Sequence, residues 1–178
     1  MTDGDNLIED IILSHGARGM DRVRGALPAN YCSRAARLIT TSPGRVLIGT
    51  GFPVGGSFET DGPIGAIALY RVLERLGYEP IFGCAPPISK VLGGGFRTLE
   101  IPILSWQATV AVVDKALADI RPSLIVSIER PGVAEDGRYY NMRGRDISDF
   151  LAKFDLFFNR CECATIAVGD GGNEIGMG

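Results

Sequence analysis

Val46-Leu47-Ile48-Gly49-Thr50, then a glycine-rich stretch from Gly51 to Gly62, then Pro63-Ile64-Gly65-Ala66-Ile67-Ala68-Leu69-Tyr70-Arg71-Val72-Leu73-Glu74-Arg75-Leu76-Gly77, is the passage on which the fold turns. An unbroken apolar run of five residues reads as a strand buried on both faces, the kind found in parallel sheets. Proline suits the first position of the helix that follows, because its missing N–H would be unpaired there anyway. Gly77 suits the position just past the helix end, and Leu69, Val72, Leu73 and Leu76 predict its buried stripe. A strand, a glycine loop and a helix make one half of a βαβ unit.

The same alternation continues on the carboxyl side. Pro80-Ile81-Phe82 reads as the next strand, and Ile101–Leu104 as a short edge strand, since Pro102 cannot donate to a ladder. Ser105 caps a helix running to about Ile120 and stopped by Pro122, with Val113, Ala116, Leu117 and Ile120 facing inward. Leu124-Ile125-Val126-Ser127-Ile128 is the strongest central strand. A helix over about 147–157 and the strand Thr165-Ile166-Ala167-Val168 complete the series. On the amino side, Leu7, Ile8, Ile11 and Ile12 predict a helix with one apolar stripe ending at Gly16. A second helix is expected over about 28–39, with Ala35, Ala36 and Leu38 packed inward. The expected fold class is α/β: a mainly parallel, Rossmann-like sheet covered by helices, preceded by an N-terminal helical segment over residues 1–45. Residues 46–178 form the catalytic-type domain, which is expected to continue beyond 178 in a longer protein.

The 178 residues suffice for one domain, and 46% hydrophobic with 22% charged residues is ordinary for a chain with a real core. A net charge of −3 argues against a nucleic-acid surface, which needs a basic excess. No apolar run approaches the ~20 residues that span a bilayer, so no membrane partner is expected. The four cysteines form no Cys-x-x-Cys pair, and His15 is remote from them, which leaves no zinc site. Reduced cysteines predict a cytoplasmic location, or the mitochondrial matrix in a eukaryote. A homo-oligomer is compatible with all of this.

Ligands in open parallel sheets bind beyond the carboxyl ends of the strands. Three polar, glycine-bearing loops leave such ends here. The first holds Thr50, Gly51, Glu59 and Asp61. It matches neither the P-loop nor the Gly-x-Gly-x-x-Gly pattern, so no nucleotide cofactor is expected. Asp61 is as well explained by its helix start as by chemistry, whereas Glu59 is harder to explain by capping. The second loop holds Glu129, Arg130, Arg138, Asn141 and Arg143. The planar fork of arginine suits a carboxylate, and Arg130 and Arg143 are the candidates, while Asp136-Gly137-Arg138 reads as a turn. The third, Gly169-Asp170-Gly171-Gly172-Asn173-Glu174, places three oxygen-bearing side chains on flexible backbone. They suit Mg²⁺ or Mn²⁺, and equally acid–base work. Trp106, Phe154, Phe157 and Phe158 read as core.

Glu59-Thr60-Asp61-Gly62-Pro63 after Thr50-Gly51-Phe52-Pro53, Glu129-Arg130-Pro131-Gly132 with Asp136 through Gly144, and Gly169 through Gly178 resemble, in the same order, the C-terminal domain of the D-glutamate cyclase family, over roughly residues 46–178. The resemblance implies conversion of D-glutamate to 5-oxo-D-proline and water, with a small acidic, D-glutamate-like metabolite as partner. It implies catalytic roles for Asp61, Glu129, Asp170 and Glu174. Substrate contacts fall to Thr50, Gly51, Arg130, Asn141, Arg143 and Asn173, with Asp61, Asp170 and Glu174 as metal ligands. Two other readings stand beside it. The last motif is similar to the final acidic motif of haloacid-dehalogenase-type phosphatases, although their Asp-x-Asp nucleophile motif is missing. A sensor domain for an acidic metabolite is the non-enzymatic alternative.

Overall fold

The computed structural model describes residues 5–14 and 18–177; His15 and Gly16 lie outside them. The chain runs through α1 (Asp5–Leu13), α2 (Met20–Val23), α3 (Tyr31–Thr40), β1 (Arg45–Thr50), a small hairpin of β2 (Pro53–Val54) and β3 (Ser57–Phe58), and α4 (Asp61–Arg75). It continues through β4 (Glu79–Cys84), α5 (Ile88–Gly93), β5 (Thr98–Glu100), α6 (Trp106–Ile120), β6 (Leu124–Ile128), α7 (Asp155–Arg160) and β7 (Ala164–Val168). The main sheet has the order β5-β4-β1-β6-β7, and every pair in it is parallel. This is the α/β, Rossmann-like architecture expected from the alternation of elements.

Strand alternation divides the core in two. Val46, Ile48, Phe82, Cys84, Leu124 and Val126 face α4 and α5, whose Ala66, Tyr70, Leu73, Ile88 and Leu92 cover them. Leu47, Ile81 and Ile125 face the other way, under Val113 and Ala116 of α6 and Phe154, Leu156 and Phe157 near α7. Gly49 and Gly83 point to this second face. A Cβ at Gly49 would lie 2.3 Å from the Phe154 ring, so glycine there makes the room into which the phenyl packs. Ser105 caps α6 as expected, accepting from Ala108 N–H at 3.3 Å.

Several expectations need correction. On α4, Val72 and Leu76 are more than half exposed; the buried stripe is Ala66, Tyr70 and Leu73, one step round the helix. The edge strand is Thr98–Glu100, just before the predicted Ile101–Leu104, because the backbone leaves the ladder as Pro102 approaches. The helix expected over 147–157 is two pieces, a 3₁₀ turn at Ser148–Phe150 and α7, separated by extended backbone at Leu151. On α3, Ala36 is exposed, whereas Leu38 packs on the core. The α1 stripe of Leu7, Ile8, Ile11 and Ile12 faces outward. Among the described side chains of that helix the buried one is Glu9, whose Oε1 accepts from Cys32 N–H at 3.0 Å. A free donor at the start of α3 thus orients α1 by a charge-assisted bond, which apolar periodicity does not register. Among the described residues, no helix is long and apolar enough to cross a membrane.

Candidate active site at the carboxyl end of the sheet

The chain leaves β1 toward β4 on one side and reaches β6 on the other, so the switch point of the sheet lies between β1 and β6. Thr50 is opposite Ile128 in register there, and Glu129 is the next residue. Its φ of 48° is left-handed, an uncommon and costly state for a side-chain-bearing residue. The backbone is held in it by a Glu129 N–H bond to Val168 O at 2.9 Å. A Cβ on Gly62 would approach Glu129 Cβ to 2.7 Å, so glycine at the start of α4 is what admits the Glu129 side chain.

The third loop folds onto the second. Gly132 N–H donates to Asn173 O and Ile175 N–H to Arg130 O, both at 2.9 Å. Asn173 Nδ2 donates to Tyr140 O at 2.8 Å. Glu174 is 5% exposed, and its two oxygens accept from the N–H groups of Gly171 (2.8 Å) and Asn173 (3.1 Å). Side chains at Gly169 or Gly171 would collide with Glu174, so the glycine-rich composition shapes a cradle for that carboxylate.

These folds bring Glu129, Asp170 and Glu174 together, with one oxygen from each lying within 4.8 Å of the others. Asp61 was expected as the third member, but it is exposed at the first residue of α4, with Oδ1 accepting from Gly62 N–H. Glu129 takes that place in the geometry, since its left-handed backbone turns it toward the third loop. Burial, then the charges of Asp170, Glu174 and Asp61, push the Glu129 carboxyl up to about 7, while Arg18 pulls the other way. Glu59 is also raised, by burial and then by Asp61.

The cation of this centre was not foreseen. Arg18, from the N-terminal helical segment, places Nη1 2.5 Å from Asp170 Oδ1, with both side chains about half exposed. The only trace of it in the sequence is an arginine in a glycine-bearing connection, Gly16-Ala17-Arg18-Gly19. Of the expected arginines, Arg130 is 2% exposed and turned to the opposite face. Its Nη1 and Nη2 donate to Thr50 O (2.9 Å) and Ala152 O (2.8 Å), and its guanidinium stacks 5.1 Å from the Phe154 ring centroid. Arg143 is exposed on a turn that Asn141 Oδ1 holds by accepting from the N–H groups of Arg143 and Arg145, each at 3.0 Å. Arg138, read as a turn residue, pairs with Asp146 at 3.6 Å on the surface. The Thr50 and Ser127 hydroxyls are fully buried without a hydrogen-bond partner, at the ends of adjacent strands. A cleft of about 430 Å³ opens beside Glu174, Asn173, Tyr140 and Asp155, within the range of about 300–1,000 Å³ usual for small-molecule sites.

A parallel α/β sheet with three carboxylates gathered at its switch point defines a Rossmann-like domain. More particularly, the chain belongs to the D-glutamate cyclase-like family: the family described as D-glutamate cyclase-like, C-terminal, matches residues 8–178. It is also 34% identical over 158 residues to the human protein named D-glutamate cyclase, mitochondrial. That match takes in 75% of this chain and 25% of the relative, so the chain corresponds to about a quarter of that protein's length.

Proposed function

We propose that the centre formed by Glu129, Asp170, Glu174 and Arg18 is the active site of a lyase that cyclises D-glutamate to 5-oxo-D-proline and water. The observation carrying this is the convergence of three carboxylates within 4.8 Å, faced by a guanidinium at the switch point of the sheet. The family and the human relative's name supply the reaction. The α-nitrogen forms a bond to the carbon of the γ-carboxyl group, and one oxygen of that group leaves as water. The two protons the ammonium gives up are the two that the departing oxygen takes, so the reaction needs no outside acid or oxidant. A group that titrates near neutrality moves protons in both directions with little penalty, and Glu129 is that group. Asp170 and Glu174 hold the ammonium nearby by charge. Arg18 releases Asp170 to take the α-carboxylate.

Glu129, Asp170 and Glu174 would also be the residues to hold Mg²⁺ or Mn²⁺, since oxygen donors suit hard cations. Such an ion would supply Lewis-acid polarisation of the γ-carboxyl group. The test incubates the protein with D-glutamate and with L-glutamate and follows 5-oxoproline by chromatography. Hydrolysis of a phosphate ester with no cyclisation of either enantiomer would transfer the site to the phosphatase reading. Glutamate binding without any turnover would transfer it to a sensor.

A further inference from the structure

Arg130 is a full positive charge, 2% exposed, held by two backbone carbonyls and a phenyl face. Burying a charge without a counter-charge is expensive, and proteins rarely leave one so. Asp155 reaches it only through its field and makes no ion pair with it, its oxygens accepting from Tyr139 Oη at 2.6 Å and Val133 N–H at 3.0 Å. The Nε–H of Arg130 has no partner at all. The same side chain lines a cavity of about 30 Å³, walled by Gly51, Ala85, Pro86, Ile88 and Ala152, with Ser57 at its rim in the exposed hairpin. A space of that size is large enough for one or two water-sized groups and too small for a whole metabolite. Among the residues lining it, Arg130 is the one charged group.

We infer that this cavity is an anion subsite, in which Arg130 receives one monovalent anion of chloride or carboxylate size. The occupant is either a free ion or a carboxylate carried in at the end of a ligand; both present the same charge to Nε. The site stands on the unpaired Nε–H and its cavity, and does not require the cyclase reading. Arg130 packs on Phe154 while its neighbour Glu129 packs on Gly62 of α4, so the two side chains leave the end of the strand in different directions.

The experiment is a melting-temperature titration of the whole protein with sodium chloride and with sodium formate, against sodium pivalate at equal ionic strength. Chloride and formate should give a saturating rise, and pivalate, whose carboxylate is flanked by a tert-butyl group too bulky for the cavity, should give none. Arg130→Lys removes the Nε donor but also disturbs the core, so the decisive variant is Ser57→Asp in the exposed hairpin. A carboxylate at the rim should weaken anion affinity at least about tenfold with circular dichroism unchanged, because like charges at close range repel. Equal responses to chloride and pivalate, or an undiminished response in Ser57→Asp, would overturn the inference. Saturating D-glutamate separates the sources. If it abolishes the chloride response, the subsite takes a ligand carboxylate; if the response persists, the subsite takes a free ion.

Discussion

The two ends of the same sheet treat their polar groups in opposite ways. At the amino end, Arg45 Nη1 donates to Ile120 O at 2.9 Å and its Nε reaches Glu79 at 3.3 Å. The Ser123 hydroxyl lies 3.0 Å from Ser42 O and 3.1 Å from Arg45 O. At the carboxyl end, Thr50 Oγ1, Ser127 Oγ and Arg130 Nε are buried with no partner, and Glu129 is held at positive φ. Buried polar atoms are normally paired, so a concentration of unpaired ones at one end marks where the fold has been shaped for something besides its own stability.

The strongest attack on this contrast is Glu129→Gln. Turnover should fall by about 10²–10⁴-fold with the circular dichroism spectrum intact, the scale of losing a general acid–base group. A variant that kept its activity would leave the carboxyl end with no special claim. Next in size is the cation. Mn²⁺ at about 100 times its dissociation constant should stabilise the protein by about 2.7 kcal/mol, read by denaturant titration, and Asp170→Asn should lose most of that gain. Equal stabilisation of both proteins rules Asp170 out as a ligand. At the amino end, Ser123→Ala should cost about 1 kcal/mol, the usual net worth of a hydrogen bond, and leave kcat untouched. A change in kcat there would erase the division of labour.

Smaller still is the pH response of the chelated protein. Folded Glu129 keeps its proton up to about 7. An unfolded glutamate releases it near 4.3, so the folded state binds more protons in that window and stability falls as pH rises through it. Above pH 7, Glu129→Gln should therefore melt about 1–3 °C higher than the parent, as measured by calorimetry. The least effect is expected of Arg143→Ala, within about 0.5 kcal/mol in stability, because the side chain is exposed and Asn141 bonds only the backbone of its turn.

The sheet was legible because Val46–Ile48 and Leu124–Val126 are continuous apolar runs, which only strands buried on both faces require. The loops were legible by composition and by their place after those strands. Which acid joins Asp170 and Glu174 was not, since the choice of Glu129 over Asp61 rests on one backbone angle. The outward stripe of α1 shows a related limit: periodicity reveals that an apolar face exists, not what covers it. Arg18 was invisible for a simpler reason: no local pattern joins it to a loop at the far end of the chain.

That remoteness has a kinetic side. Arg18 and Asp170 are 152 positions apart, and Glu129 lies between them in sequence, just past a strand that pairs with both β1 and β7. Closing so long a loop carries an entropic cost that only a nearly completed sheet offsets. The ion pair can therefore persist only after β7 has docked. A chain without β7 in place would hold Glu129 with no guanidinium across from it, and the cluster would be completed only in the last step of assembly.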